Sequence, residues 1–196
     1  MSLLNNLIEQ AKNPKGFIGK TMLSIMNAAH GQMMGWGLSK INISDNPVIL
    51  DIGCGGGKTI KLLCRMITNG TIYGVDYSAE AVKSTTKENK DAVNNGRVIV
   101  KQGNVSALPF AENFFDIITA FQTHYFWPDL KNSIGEISRV LKPNGQFVLV
   151  SEIYKINYHM KEYKTSESVK KLFLESGFID VRIFETEQNV CFVGIK

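Results

Sequence analysis

The chain has no long hydrophobic run, few cysteines and no large excess of one charge. Its longest apolar runs, such as residues 48–50 and 146–150, are strand-sized and far short of the roughly 18 residues that cross a bilayer. Cys54, Cys64 and Cys191 are odd in number and lack metal-ligand spacing, which suits reduced thiols. No basic leader precedes an apolar stretch, so no secretory signal is predicted. We expect a cytoplasmic protein with no membrane span and no metal site.

The charge and length of the chain narrow the class of protein further. Its 22 basic and 18 acidic side chains give a net charge of +4, and these charges are spread along the sequence. Nucleic-acid binders usually concentrate basic residues in a patch, so this distribution does not favour a nucleic-acid partner. A chain of 196 residues that is 44% hydrophobic fits one globular domain, residues 1–196.

Two patterns divide the sequence. Apolar residues at helical spacing predict that residues 1–45 form an N-terminal helical cap, whereas residues 46–196 alternate short strands with helices. This alternation predicts an α/β fold with a mostly parallel sheet covered by helices on both faces. Strands are predicted at 48–51, 71–75, 97–101, 115–120, 146–151, 179–185 and 190–195, and helices at 59–68, 78–94, 130–141 and 166–176. Thr186, Glu187 and Gln188 suit a hairpin turn that would make the last strand antiparallel.

The most specific local pattern is a glycine-rich loop between the first strand and the next helix. Gly53, Gly55 and Gly57 would allow a tight turn and a close approach of ligand to backbone. The dinucleotide pattern needs a small residue where Lys58 stands, and a P-loop needs glycine where Ile52 stands. Asp51, just before the glycines, would repel a pyrophosphate but attract an ammonium group.

A second acidic residue, Asp76, follows the second strand. An acid at this place can accept hydrogen bonds from ribose hydroxyls. The alternative is that Asp76 only serves the N-terminus of the following helix. The sequence therefore indicates a ligand with a ribose and an amino group, and leaves the structural role of Asp76 open.

Several segments together resemble the class I S-adenosylmethionine-dependent methyltransferases, type 11 group. The resemblance covers residues 47–150 and rests on segments 51–57, 75–77, 103–105, 108–110, 114–116 and 139–145. Asn104 stands where many relatives have aspartate, although its amide oxygen can still accept a hydrogen bond. The resemblance implies a Rossmann-like fold with a seven-stranded sheet, and S-adenosylmethionine as cofactor with S-adenosylhomocysteine as product.

The resemblance also implies where each part of the cofactor lies. The loop glycines would surround its methionine part, close to Asp51. Asp76 would hold the ribose, with Tyr77 beside the adenine. The segment Gly103, Asn104 and Val105 would close over the adenine. Phe121 and Gln122 would lie near the methionine part and the methyl acceptor.

Catalytic residues are not specified by the sequence, because the sulfonium cofactor is already activated and the protein mainly aligns the acceptor. A general base is needed only when the acceptor must lose a proton. His124, after the fourth strand, and His30, in the N-terminal cap, are the candidates. For each, the alternative is a surface or structural histidine. Aromatic residues in segment 125–127 could line an acceptor pocket or pack beneath the next helix.

These observations favour methyl transfer to a small-molecule acceptor by a monomer or homodimer. One alternative is an RNA or DNA methyltransferase, although no motif for base methylation is visible. Another is a non-catalytic protein that only binds the cofactor. A nicotinamide dehydrogenase is the remaining alternative, against which Lys58 and Asp51 argue.

Overall fold

The strands form one sheet, in which the last strand of the chain runs opposite to the others. A computed structural model describes residues 31–196. The sheet order is β3-β2-β1-β4-β5-β7-β6, and only β7 runs antiparallel to its neighbours. The strands are β1 Val48–Ile52, β2 Thr71–Asp76, β3 Val98–Gln102, β4 Phe115–Phe121, β5 Leu141–Glu152, β6 Asp180–Glu185 and β7 Asn189–Ile195. The predicted Rossmann-like sheet is confirmed.

Helices cover both faces of this sheet. They are α1 Gly31–Leu38, α2 Lys58–Met66, α3 Ala79–Glu88, α4 Lys90–Asn94, α5 Leu130–Val140, α6 Ile153–His159 and α7 Ser166–Glu175, with a 3-10 turn at His124–Phe126. Strand β5 shows the two-sided burial: Leu149 packs in the core beneath α5 and α7, whereas Val148 and Val150 pack in the core beneath α1 and α2. No helix within residues 31–196 is long and apolar enough to cross a membrane.

The C-terminal hairpin forms where the sequence predicts it. Strands β6 and β7 pair in antiparallel register from Asp180 opposite Ile195 to Glu185 opposite Val190. The Thr186 N–H donates to the Asn189 carbonyl at 2.9 Å and closes the turn. The predicted antiparallel strand is therefore confirmed.

Two helical predictions need correction. The single helix predicted over 78–94 is interrupted at Asn89, which has non-helical dihedral angles (φ −113°, ψ 28°) and separates α3 from α4. The segment 152–165, for which no element was predicted, contains α6. Tertiary contacts decide both features: the Asn89 amide bonds outside its own helix, and Ile156 anchors α6 in the core.

The predicted N-terminal cap is described only at its end. Helix α1 packs closely on β5, since a Cβ at Gly37 would lie 2.6 Å from Val150 Cγ2. His30 and the rest of the predicted cap lie outside the described residues. The cap and its boundary therefore stay a prediction.

Candidate functional site

The glycine loop lies at the carboxyl end of β1. The N–H groups of Gly53 and Cys54 both donate to the Val75 carbonyl, at 2.8 and 3.2 Å, and tie the loop to β2. Gly53 and Gly57 have φ of +70° and +81°, values that favour glycine. A Cβ at Gly53 would lie only 2.4 Å from Thr123 Oγ1. Glycine is therefore needed at position 53, because its backbone has a positive φ and because a side chain would overlap Thr123.

Asp51 places a buried carboxyl beside this loop. Its side chain is 2% exposed, and its Oδ1 accepts a hydrogen bond from Thr119 Oγ1 at 2.8 Å. Within residues 31–196, Oδ2 has no hydrogen-bond partner. Burial raises the pKa of Asp51 to about 7; the Thr119 bond opposes this shift, and the nearby charge of Asp76 adds to it. A ligand with a cationic hydrogen-bond donor would supply the partner that Oδ2 lacks among the described residues.

Asp76 connects the end of β2 to the glycine loop. Its Oδ2 accepts from the Gly55 N–H and its Oδ1 from the Ser78 N–H, both at 2.9 Å. Burial raises the pKa of Asp76, and these two hydrogen bonds moderate the increase. The N-cap of α3 is Ser78, whose hydroxyl accepts from the Ala81 N–H at 3.3 Å. Asp76 therefore supports both the cap and the loop, and each of its oxygens can accept a further hydrogen bond.

The segment predicted to close over adenine follows β3. The Gly103 N–H donates to the Asp76 carbonyl at 3.0 Å, which places the segment beside the end of β2. Val105 is buried, whereas Tyr77 is 64% exposed. The side-chain oxygen of Asn104 accepts the Ser106 N–H at 3.0 Å, so its expected bond to adenine would use the second lone pair.

Gln122 is the central polar residue at the carboxyl end of β4. It is 3% exposed and has a φ of +58°, a conformation that non-glycine residues rarely adopt. Its Nε2 donates to Glu152 Oε2 at 2.9 Å, and its Oε1 accepts from the Tyr125 hydroxyl at 2.7 Å. Phe121, its neighbour, is buried against α1. Glu152 was missed at the sequence level, although an acidic residue directly after a buried strand was the available signal.

His124 is buried in the core beneath α6. Its Nδ1 lies 2.9 Å from Ser151 Oγ, and its Nε2 has no partner among the described residues. Burial lowers the pKa of His124 to about 3, so the ring is neutral at physiological pH. Such a ring is a weak proton acceptor, and this geometry favours the structural alternative for His124.

Aromatic rings surround this end of the sheet. The Tyr125 ring stacks on His159 of α6 with centroids 5.1 Å apart, and Phe126 meets the same ring edge-on at 5.2 Å. Trp127 donates its indole N–H to Thr123 Oγ1 at 3.1 Å. Thus Thr123 contacts both the aromatic segment and the glycine loop, and it links the two parts of the site. Within residues 31–196, no cluster of three or more histidine, cysteine or acidic side chains could hold a metal ion.

Comparisons with known proteins found a matching family model and related proteins. A family model described as a methyltransferase domain matches residues 50–149, just over half of the chain. YrhH of Bacillus subtilis, provisionally named a methyltransferase, is 25% identical over 162 residues, covering 81% of this chain and 83% of YrhH. The demethylmenaquinone methyltransferase of Lactiplantibacillus plantarum is 33% identical over 112 residues, covering 57% of this chain and 47% of that enzyme.

A solved structure shows the same fold. The S-adenosylmethionine-dependent methyltransferase of Aquifex aeolicus superposes with a TM-score of 0.69 at 17% identity. The alignment covers 83% of this chain and 88% of that protein. At this identity, the likeness concerns the fold alone.

Proposed function

Because the chain belongs to the type 11 family of class I S-adenosylmethionine-dependent methyltransferases, we propose that its methyl acceptor is a small molecule held at the carboxyl ends of β4 and β5. When bound, the cofactor supplies an activated methyl group on a sulfonium. The residues of this chain bind the cofactor, orient the acceptor and exclude water.

The placement of the cofactor is carried by Asp51 Oδ2, which has no hydrogen-bond partner within residues 31–196. It is a buried acceptor at the edge of the glycine loop, and the ammonium of the methionine part has the matching charge. Asp76 accepts the ribose hydroxyls through its remaining lone pairs. The full cofactor set we propose is Asp51, Gly53, Gly55, Gly57, Asp76, Tyr77, Gly103, Asn104, Val105, Phe121 and Gln122.

The acceptor is placed by the polar and aromatic groups beyond Gln122. Strands β4 and β5 end side by side, where ligands gather in open parallel sheets. Tyr125, Phe126 and His159 offer ring faces and edges, and Glu152 adds a carboxylate. This composition supports a small acceptor that carries a ring, in agreement with the acceptor named for the Lactiplantibacillus relative. We also propose that the protein is cytoplasmic, because all three thiols are free.

No described residue is proposed as a general base. His124 is neutral and weakly basic, and its Nδ1 is engaged by Ser151. An acceptor that ionises readily, or a nucleophilic carbon or amine, needs no such base. For such an acceptor, the described residues accelerate transfer through alignment alone.

Calorimetric titration with S-adenosylhomocysteine, with NADH as the control ligand, tests the cofactor site. We expect micromolar binding of the first and none of the second; binding of NADH alone would overturn the assignment. Transfer of a labelled methyl group is then measured with a panel of small ring compounds and with bulk tRNA. Labelling of tRNA without any small acceptor would overturn the acceptor proposal.

A further inference from the structure

The break between α3 and α4 lies against the glycine loop. Asn89, the residue at the break, is 6% exposed. Its Nδ2 donates to the Gly57 carbonyl at 3.1 Å and to the Thr85 carbonyl at 3.0 Å. The side-chain amide of Asn89 therefore bonds to the last turn of α3 and also holds the glycine loop.

Thr85, one turn earlier on α3, holds the loop at a second point. It is fully buried, and its Oγ1 donates to the Gly55 carbonyl at 2.9 Å. A Cβ at Gly57 would lie 2.6 Å from Asn89 Nδ2 and 2.9 Å from Thr85 Cα, so the loop and the helix are in direct contact. Gly55 is thus fixed on two sides, since Asp76 accepts from its N–H.

These contacts set the direction of the loop N–H groups. In a trans peptide the carbonyl and the following N–H point in opposite directions. Because the Gly55 carbonyl points at Thr85, the Gly56 N–H points away from α3. For the same reason the Lys58 N–H, at the start of α2, points away from Asn89.

We propose that Thr85 and Asn89 are positioning residues that orient the glycine loop for the methionine part of the cofactor. They act through the loop backbone and do not touch the ligand. This inference rests on the proposed placement of the cofactor over the loop. It assigns a binding function to a helix break whose local sequence predicts a continuous helix.

Thr85→Val and Thr86→Val form a matched pair that tests the proposal. Both remove a hydroxyl from α3 while keeping the side-chain shape, but Thr86 Oγ1 donates only to Val82 within its own helix, at 2.8 Å. Affinity is measured for S-adenosylhomocysteine and for 5′-methylthioadenosine, which lacks the amino-acid part. We expect Thr85→Val to weaken the first about tenfold and the second less than about threefold, because a lost hydrogen bond misaligns only the loop.

The controls separate positioning from general stability. Thr86→Val should leave both affinities unchanged, and Thr85→Ser should restore the affinity for S-adenosylhomocysteine. Asn89→Asp, which sets a carboxylate oxygen against two carbonyl oxygens, should repeat the selective loss. Unchanged affinities in both Thr85→Val and Asn89→Asp, or an equal loss for the two ligands, would overturn the proposal.

Gly55→Val distinguishes this inference from the placement on which it rests. A side chain at Gly55 should abolish binding of S-adenosylhomocysteine. Normal binding by Gly55→Val would overturn the placement of the cofactor. Loss in Gly55→Val together with normal binding by Thr85→Val and Asn89→Asp would overturn the positioning role alone.

Discussion

The two sides of the site are built from different chemical groups. The cofactor side comprises the glycine loop 53–57 with Asp51 and Asp76, and most of its hydrogen bonds involve backbone groups. The acceptor side comprises Glu152, the 3-10 turn and α6 together with Gln122, which the proposed cofactor set also includes. Its contacts join one side chain to another. On the cofactor side, the backbone geometry requires glycine and acidic residues at fixed spacing in the sequence. Side-chain contacts can be made by many residue combinations, so the acceptor side can vary without loss of the fold.

Among the variants that compare the two sides, Gly53→Ala is expected to have the largest effect, because the two sides touch at Gly53. In Gly53→Ala the new Cβ would overlap Thr123 and the residue would be held at a φ of +70°. Strain and overlap together amount to a few kcal/mol, which the loop can relieve only by moving away from Thr123, and a displaced loop predicts about a hundredfold weaker binding of S-adenosylhomocysteine. Calorimetric titration measures this loss.

Gly96→Ala is the matched control for Gly53→Ala. Gly96 also has a positive φ, +79°, but a Cβ there meets no atom within 4 Å. This variant should lose about 1 kcal/mol of unfolding free energy and keep its affinity. Equal losses of affinity in the two variants would show that the loss at Gly53 does not come from its contact with Thr123.

Asp76→Ala should have the next largest effect. It removes the proposed ribose acceptor and the hydrogen bonds that Asp76 accepts from the Gly55 and Ser78 N–H groups. We expect roughly thirtyfold weaker binding of S-adenosylhomocysteine with the fold retained, as measured by calorimetry and circular dichroism. Asp76→Asn keeps an acceptor oxygen, so its affinity should lie between those of the wild type and Asp76→Ala. Unchanged affinity in Asp76→Ala would restrict this residue to the structural role that the sequence left open.

The same difference between the two sides explains what the sequence could predict. The glycine spacing, the acid after β2 and the hairpin turn at 186–188 are local patterns, and each predicts its element directly. Helix α6 has only Ile153 and Ile156 on its buried face, too few positions to show a helical period. The break at Asn89 depends on the Gly57 carbonyl, 32 residues away in the sequence, which no local pattern encodes.

Asp51 should make cofactor binding depend on pH. Burial raises the pKa of Asp51 to about 7 in the unliganded protein, whereas a ligand ammonium favours the ionised carboxylate. Affinity for S-adenosylhomocysteine should therefore fall roughly tenfold between pH 7.5 and 5.5, with proton release on binding in that range. Titrations in buffers of different ionisation enthalpy measure the release. Asp51→Asn should flatten the profile, and an equally steep profile in that variant would assign it to another group.

The same pKa has an opposite consequence for the unliganded fold. A carboxyl with a raised pKa in the folded state contributes stability below its unfolded pKa, about 4, and this contribution is lost as pH rises through about 7. Unfolding free energy should thus decrease over this window in the wild type relative to Asp51→Asn. Denaturant unfolding at pH 5 and pH 8 measures the difference.

The smallest effect on cofactor binding is expected from Tyr125→Phe, on the acceptor side. The variant keeps the ring that stacks on His159 and removes only the hydroxyl that donates to Gln122 Oε1. Loss of one part-buried hydrogen bond should cost about 1 kcal/mol of unfolding free energy. Affinity for S-adenosylhomocysteine should stay within about twofold, because the Gln122 amide still donates to Glu152. A larger loss of affinity would show that the Tyr125 hydroxyl is needed to hold Gln122 in place for the cofactor, and the division between backbone-built and side-chain-built regions would fail at Gln122.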